Sequence, residues 1–461
     1  MTETIGVMTG NSLDGADVVL TSFENGGMRD VAGYSLPFSE TVSENLRRVR
    51  RLIAEKGADM EAAARDGFFR RTVRAYTELV AQAVHELMRH SGRSASDIAA
   101  IGFHGQTCDH FPPSIARGEE PYTVQVGDAA LLADRTGIPV IYDFRSDDVM
   151  NGGEGAPLAP VHNRHIAEDL KARGLFPIAF CNAGNTGNIA VISERASHPA
   201  VLGWDTGPFN HFPDALMRSH KREACDRDGL YGALGQVTPE LLKIMFNGSA
   251  VNSDGENFFL QPPPRSSDPS WYRLPPETEE FRFENVLRTA EYLGAYAFMH
   301  ALSFVPEDVE MPSAFLLFGG GWKNPLSLQD FKDLLNGRGP VLPEHEDAFA
   351  AVRRRFAKEP SVEWSDVFGY SGTYMEARIF ADMAFCRITG EPFSYPESTG
   401  CTSPTVSGIC VFPSQGGGAQ LKELMRHYGT EKIAGQKGAD EPPRLYNRAV
   451  RGWKKKYAVP S

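Results

Sequence analysis

Two strand–turn–strand segments constrain this chain more than any other feature. Ile5-Gly6-Val7-Met8 and Val18-Val19-Leu20-Thr21-Ser22-Phe23 flank a polar turn, Thr9-Gly10-Asn11-Ser12-Leu13-Asp14-Gly15-Ala16-Asp17. Apolar β-rich runs around a glycine-bearing turn read as a hairpin. The pattern returns where Pro177-Ile178-Ala179-Phe180-Cys181 and Ile189-Ala190-Val191-Ile192 flank Asn182-Ala183-Gly184-Asn185-Thr186-Gly187-Asn188. Gly184-Asn185-Thr186 stands where the first turn has Gly10-Asn11-Ser12. A spacing of about 175 residues is far too long for a solenoid repeat. It points to two similar α/β lobes, the alternative being coincidence between two glycine-rich hairpins.

A chain of 461 residues suits two or three domains, and 41% hydrophobic with 23% charged residues suits a globular protein with a core. No stretch approaches about 18 consecutive apolar residues, so no membrane helix is expected. Met1-Thr2-Glu3-Thr4 lacks a basic region followed by an apolar run, so no secretory signal is expected. The formal charge of -12 argues against a nucleic-acid binder, whose footprint is basic. It leaves room for an anionic substrate, because a few N–H donors bind phosphate on an acidic protein. Six cysteines without a C-x-x-C pair suit buried thiols in a reducing cytoplasm rather than a zinc site.

Helices are expected from about Ser39 to Glu55 and Met60 to His90, the second on the period of Phe69, Val73, Tyr76, Val80, Val84 and Leu87. Further helices are expected over Asp128–Arg135, Asn210–Met217, Asn285–Leu302 and Tyr374–Ile388. Strands are expected at Ile98–Phe103, Tyr122–Val126, Pro139–Tyr142, Ala314–Phe318 and Ser407–Phe412, with residues from about Ser327 to Trp364 loop-rich. Leu202-Gly203-Trp204-Asp205-Thr206-Gly207-Pro208 ends another strand and opens a helix. The tail from Ser414 to Ser461 carries ten Lys or Arg against four Asp or Glu and reads as a solvated extension docked on the surface. Its Trp453-Lys454-Lys455-Lys456-Tyr457 is the alternative, a partner patch.

The chemistry gathers at a few of these turns. A glycine-rich turn lets backbone N–H groups approach a phosphate, and Thr9, Asn11 and Ser12 add side-chain donors. Asp14 lies where it could hold a Mg²⁺-bound water. Asp205, at a strand end before a glycine turn into a helix, suits a base beside a transferring phosphoryl group, the alternative being a helix N-cap. Gly319-Gly320-Gly321 after a buried strand permits close approach of a flat ligand such as adenine; the alternative is a plain tight turn. His104 sits in a His-Gly-Gln-Thr loop suited to substrate contact, though a lone loop histidine is more often structural. Asp143, Asp147 and Asp148 flank Arg145 and raise a metal hydrolase as an option, which the lack of histidine at ligand spacing disfavours.

Taken together, these segments resemble the anhydro-N-acetylmuramic acid kinase family, a branch of the actin/hexokinase-like sugar kinases. Met8-Thr9-Gly10-Asn11-Ser12-Leu13-Asp14-Gly15-Ala16-Asp17 resembles the family's M-S-G-T-S-L-D-G-V-D. Phe103-His104-Gly105-Gln106-Thr107, Arg135-Thr136-Gly137-Ile138-Pro139-Val140, Asp143-Phe144-Arg145 and Gly152-Gly153-Glu154-Gly155-Ala156-Pro157-Leu158 match almost letter for letter. Trp204-Asp205-Thr206-Gly207-Pro208-Phe209-Asn210 resembles F-D-T-G-P-G-N. Asp226-Arg227-Asp228-Gly229, the prolines Pro262-Pro263-Pro264, Gly319-Gly320-Gly321-Trp322-Lys323-Asn324-Pro325 and Ser398-Thr399-Gly400 complete a series that keeps its order to about Pro413.

The resemblance implies an α/β, two-lobed actin-like/ribonuclease H-like ATPase fold with an interlobe cleft. Residues 1–140 plus 397–461 would form lobe I and 141–396 lobe II. It implies a cytoplasmic homodimer using ATP and Mg²⁺, with no nucleic-acid or membrane partner. The reaction would open 1,6-anhydro-N-acetylmuramic acid with water and phosphorylate O6, giving N-acetylmuramic acid 6-phosphate in cell-wall sugar recycling. Asp205 resembles the base that activates water. Gly10, Asn11, Ser12, Asp14 and Gly15 would form the first phosphate loop, with Asp14 reaching the metal through water, and Gly207 and Asn210 the second. Gly320, Gly321 and Asn324 would contact nucleotide; His104, Arg145 and Glu376 would line the sugar pocket. Asn11, Asn185 and Phe209 replace a Thr and two Gly of the family pattern, and Arg265-Ser266-Ser267-Asp268 lacks the usual Gly-Arg-Glu. These departures keep two alternatives in view, a levoglucosan-like anhydro-sugar kinase and a non-catalytic sugar or nucleotide sensor.

Overall fold

The computed structural model describes residues 1–431 apart from 11, 117, 195–198, 253, 264 and 266. The first stretch of chain forms β1 (Thr2–Met8), β2 (Gly15–Glu24), β3 (Gly27–Pro37), β4 (Ala100–Phe103), β5 (Gln106–Phe111), β6 (Tyr122–Val126) and β7 (Val140–Tyr142). The middle forms β8 (Ile178–Ala183), β9 (Thr186–Glu194), β10 (Pro199–Pro208), β11 (Ala314–Phe318) and β12 (Ser361–Trp364), and β13 (Ile409–Val411) follows. The chain divides into two compact units, one of Met1–His165 with the chain from Tyr374 onward, the other of Ile166–Thr373.

In the first unit the sheet order is β13-β7-β4-β1-β2-β3, and β5 pairs with β6 in a separate ribbon. Strands β1, β2 and β3 run antiparallel in sequence, while β4 lies parallel to β1 and β7 parallel to β4. The second unit has the order β10-β9-β8-β11-β12. Its β8, β9 and β10 are again antiparallel, with β11 parallel to β8 and β12 parallel to β11. The two hairpins therefore open the same 3-2-1-4-5 arrangement twice, the order of the actin-like/ribonuclease H-like fold.

Strand β1, between antiparallel β2 and parallel β4, is central in its sheet and buried on both faces from Glu3 to Val7. Ile5 and Val7 share a core with Tyr76, Val80 and Val84 of the helix Gly67–Ser91. Gly6 and Gly102 point the other way, since side chains alternate along a strand. There the helix Met375–Thr389 lies so close that a Cβ at either glycine would overlap the carbonyl oxygen of Ala377 or Phe380. Gly102→Ala is expected to destabilise the protein by about 1–3 kcal/mol through overpacking, measured as a lowered thermal midpoint. In the second unit the helix Phe283–Leu302 is buried along nearly its whole length and anchors a large aromatic core.

Local chemistry sets the helix ends. Ser39 and Asp128 cap the helices Glu40–Glu55 and Ala129–Thr136 with their side chains. Asp66 accepts from Phe68 and Phe69 N–H at 2.7 and 3.1 Å, so the single helix expected from Met60 becomes Met60–Arg65 and Gly67–Ser91. The segment expected to be loop-rich contains the helices Pro325–Leu335 and Glu346–Arg354 and strand β12. Asn324 caps the first of these and Phe349 and Val352 bury the inner face of the second. The unit boundaries also differ from the expected 140/141 and 396/397. Strand β7 pairs with β4 and β13 with β7, and the helix Met375–Thr389 packs on the first sheet, so all of these belong to the first unit. In the tail, the helix Ala419–Tyr428 buries Leu421 and Met425; Trp453-Lys454-Lys455-Lys456-Tyr457 lies outside the described residues. Among the described residues no helix is long and apolar enough to cross a membrane.

Candidate active site

The first unit brings the three expected sugar contacts together. Arg145, just after β7, donates from Nε to His104 Nε2 at 3.0 Å and from Nη1 to the Gly155 carbonyl at 2.6 Å. Accepting at Nε2 requires a neutral imidazole, and burial together with the Arg145 charge holds the His104 pKa well below its ordinary value. The ring packs on Phe380 at 4.5 Å between centroids. Glu376, in the first turn of the helix Met375–Thr389, lies within the electrostatic reach of Arg145, Asp17 and Asp14. A neutral nitrogen heterocycle, a guanidinium and a carboxylate in one group offer the mixed donors and acceptors that a hydroxylated ligand needs. The aspartates beside Arg145 serve structural ends. Asp148 accepts from Gly155 N–H at 2.7 Å and Thr399 Oγ1 at 2.6 Å, and Asp147 from Gly408 N–H at 3.2 Å. Two of the three aspartates behind the metal-hydrolase option are thus engaged within the protein.

Among the described residues of the first loop the left-handed one is Leu13 (φ 60°), not a glycine. Gly15 is needed for another reason: a Cβ there would press on the Leu36 carbonyl at 2.7 Å. Leu13 N–H closes the turn on the Gly10 carbonyl at 3.3 Å. Asp14 is exposed and accepts from Ser12 Oγ at 2.8 Å. Asp17, partly buried, accepts from Ser35 Oγ; burial raises its pKa, with a further push from Asp14. Asp14 and Asp17, whose charges act on Glu376, offer hard carboxylate oxygens of the kind that takes Mg²⁺ through water. Asn11 lies outside the described residues.

In the second unit Asp205 sits within β10, beside a bulge. The register with β9 shifts between Asp205, opposite Asn188, and Gly207, opposite Gly187. Bulges re-aim side chains, and here one falls next to the expected base. Asp205 Oδ2 accepts from Ser267 N–H at 2.8 Å and Ser267 Oγ at 3.2 Å, while Arg265 Nε donates to the Asp205 carbonyl at 3.0 Å. Ser267 Oγ also bonds the Tyr272 hydroxyl, which reaches Thr186 Oγ1 at 3.1 Å. Asp205 does not cap the following helix; Asn210 occupies the N-cap of His211–His220. Gly207 has φ 120° and faces the Phe259 ring, where a Cβ would stand 2.7 Å away. Arg265, Ser267 and Tyr272 had no role in the sequence reading. Their signal was the departure after the prolines, which marks a rebuilt segment without showing what it touches.

A cavity of about 510 Å³ in the same unit gathers Asn210, Gly320, Gly321 and Asn324 with Asp226, Glu291 and Lys323. Gly320 opens to it with space for a Cβ, and Gly319 takes φ 92° at the strand end. Asn324 is already engaged, its Oδ1 accepting from Leu326 N–H at 3.0 Å and its Nδ2 donating to Glu291 Oε1 at 2.8 Å. Phe209 lines one side of this space without standing free in it. Its ring is buried against Phe298 and Trp322, with centroids 5.8 and 4.8 Å away. Gly294 and Gly321 make room for it, since a Cβ at either would meet the ring at 2.8 or 2.5 Å. The bulk added at position 209 is absorbed by the core.

Two units of the same mixed sheet, a glycine-lined cavity of ligand size and carboxylates beside the strand-end turns define a protein of the actin-like ATPase class. The family described as anhydro-N-acetylmuramic acid kinase matches residues 2–346, and the chain belongs to that family. Among curated relatives, the anhydro-N-acetylmuramic acid kinase of Brucella canis (strain ATCC 23365 / NCTC 10854 / RM-666) is 31% identical over 411 residues, covering 89% of this chain and 98% of its own. That of Rhodopseudomonas palustris (strain BisB18) is 32% identical over 414 residues, covering 89% and 99%. A solved ROK family glucokinase from Streptomyces griseus, in complex with glucose and AMPPNP, aligns at 14% identity with a TM-score of 0.30, covering 83% of this chain and 98% of that one.

Proposed function

We propose that the protein is an ATP- and Mg²⁺-dependent kinase that opens 1,6-anhydro-N-acetylmuramic acid with water and phosphorylates O6. The observation that carries this reading is the family match over residues 2–346 with a carboxylate kept at position 205. In the proposed reaction the oxygen of water attacks C1 and Asp205 takes the water proton. The C1–O6 bond breaks, and O6 takes the γ-phosphoryl group as ADP leaves. The products are N-acetylmuramic acid 6-phosphate and ADP, and the proton on Asp205 returns to solvent. Ser267 holds the Asp205 carboxylate in one orientation, and His104, Arg145 and Glu376 are assigned to the sugar. Asp14 and Asp17 would hold Mg²⁺ through water, and the bound ion neutralises charge on the phosphate oxygens. The same reading makes the protein a cytoplasmic homodimer.

The test incubates the protein with ATP, Mg²⁺ and the anhydro sugar and follows ADP and sugar 6-phosphate. Equimolar formation of both is the expected result. Nucleotide binding without ADP would overturn it in favour of a sensor, and phosphate release independent of the sugar would overturn it in favour of a hydrolase.

A further inference from the structure

We infer that Glu291 and Asp226 share a proton across the floor of the second unit's cavity, and that this carboxyl pair braces the cavity walls for a nucleotide, making Glu291 a positioning residue. The inference rests on the nucleotide reading of that cavity. One wall is formed by residues 225–228; the other is formed by Gly320, Gly321 and Lys323 in the turn that leads into the helix Pro325–Leu335. Glu291 projects between them from the helix Phe283–Leu302 and is only 2% exposed, and Asp226 only 6%. Glu291 Oε1 takes the Asn324 amide at 2.8 Å, and Asn324 in turn caps the Pro325 helix. Asp226 Oδ1 and Oδ2 accept from the N–H groups of Tyr231 at 3.0 Å and Gly232 at 2.7 Å. Glu291 Oε2 meets no N–H donor among the described residues; the group it faces is the Asp226 carboxyl. Gly232 leaves no room for a side chain against it.

Two buried carboxyl groups in contact do not both ionise. Asp226, with two backbone N–H donors, is the better place for the negative charge. Glu291, with a single amide donor, keeps the proton and donates it to Asp226. Burial, followed by the Asp226 charge, pushes the Glu291 pKa up to about 9. Arg288, on the same helix, opposes this only in part, because its guanidinium is committed to Asp330 through bonds of 2.7 and 2.6 Å. The remaining charges around the cavity are Asp214, Arg227, Asp228 and Lys323. With the proton in place, hydrogen bonds run Asn324–Glu291–Asp226 from wall to wall. Without it, two carboxylates repel across the floor and a further negative charge stands beside an anionic polyphosphate.

The experiment measures AMPPNP binding to the full-length protein by calorimetry from pH 7 to pH 10, in the wild type, Glu291→Gln and Glu291→Ala. Circular dichroism confirms that each variant is folded. If only the protonated form binds, the wild-type Kd rises about tenfold from pH 7 to pH 10, about fivefold of it between pH 9 and pH 10. Glutamine offers an N–H to Asp226 and a carbonyl to Asn324 at every pH, so Glu291→Gln should bind as the wild type does at pH 7 and hold that affinity to pH 10. Glu291→Ala should bind more weakly at pH 7 and show no such pH dependence. A glutamine variant as weak as the alanine variant, or a wild-type Kd flat to pH 10, overturns the brace. No AMPPNP binding by the wild type at pH 7 overturns the nucleotide reading itself.

Discussion

Asp205→Asn is expected to lower kcat by about 10²–10⁴-fold, the usual cost of losing a general base, while the Kd for nucleotide changes little. Asparagine is close in size to aspartate, and its carbonyl oxygen can still accept from Ser267 N–H and Oγ. What it lacks is the basicity to take a proton from water. The comparison variant is Asp14→Asn, which alters the exposed carboxylate bonded to Ser12. Its expected effect is a higher Mg²⁺ requirement and weaker ATP use together. Steady-state kinetics with ATP, Mg²⁺ and anhydro sugar each varied in turn separate the two. A kcat for Asp205→Asn within a fewfold of the wild type would place the base elsewhere.

The second large effect concerns stability. Asp382 is 1% exposed and accepts from His162 Nδ1 at 2.8 Å and His165 Nδ1 at 2.9 Å. Arg378 Nε approaches His162 Nε2 at 3.2 Å, which makes that nitrogen the acceptor and His162 neutral; burial lowers its pKa in the same sense. His165 carries the balancing charge. Burial works against it, but the Asp382 charge and hydrogen bond, with help from Glu391, raise its pKa to about 10. For Asp382 burial likewise opposes ionisation, and the two imidazoles outweigh it, holding the carboxyl well below its ordinary range. Removing one member of a buried pair costs about 3–5 kcal/mol, so Asp382→Ala should lose that much in urea unfolding at pH 6. The pH dependence has a definite sign. The contribution of His165 is complete below its unfolded value near 6.5 and declines as pH rises through about 10. That of Asp382 is complete above its unfolded value near 3.8 and declines as pH falls below it. Both describe one interaction, so the gap between wild type and variant should be widest from about pH 4 to 6.5. A gap that stays constant to pH 10 would show that packing, not charge, accounts for the loss.

The hairpins, most strands and the capped helices were legible because their signals are local. Ser39 and Asp128 announce helix starts, and the runs at Ile178 and Ala314 are apolar enough to read as buried strands. The helix Glu346–Arg354 was missed because it buries only Phe349 and Val352 under a charged face. The first change of unit was missed because the chain crosses after His165, inside the unbroken helix Ala159–Ala172 with no shift of composition. For the site, family motifs named residues that the structure gathers into groups: His104, Arg145 and Glu376 in one unit, Asn210, Gly320, Gly321 and Asn324 in the other. The partners that tune them were not legible. Ser267 lies 62 positions from Asp205 and Asn324 33 from Glu291, and nothing local marks either contact. The accommodation of Phe209 was hidden in the same way, since its compensation lies in glycines at 294 and 321.

The seating of the helix Met375–Thr389 against Gly6 and Gly102 also sets an order of events during synthesis. The first unit is a broken stretch of chain and the second a continuous one. As the polypeptide emerges, strands β1 to β4 are complete about 270 residues before the helix that covers them, an interval of roughly 15–50 s at ordinary translation rates. Within that interval the whole of Ile166–Thr373 is made and can close on its own core. The glycine-bearing face of the first sheet stays bare until the ribosome has passed Thr389. For that time it is a surface for a chaperone to shield, and a slowed ribosome between Thr373 and Thr389 would prolong its exposure.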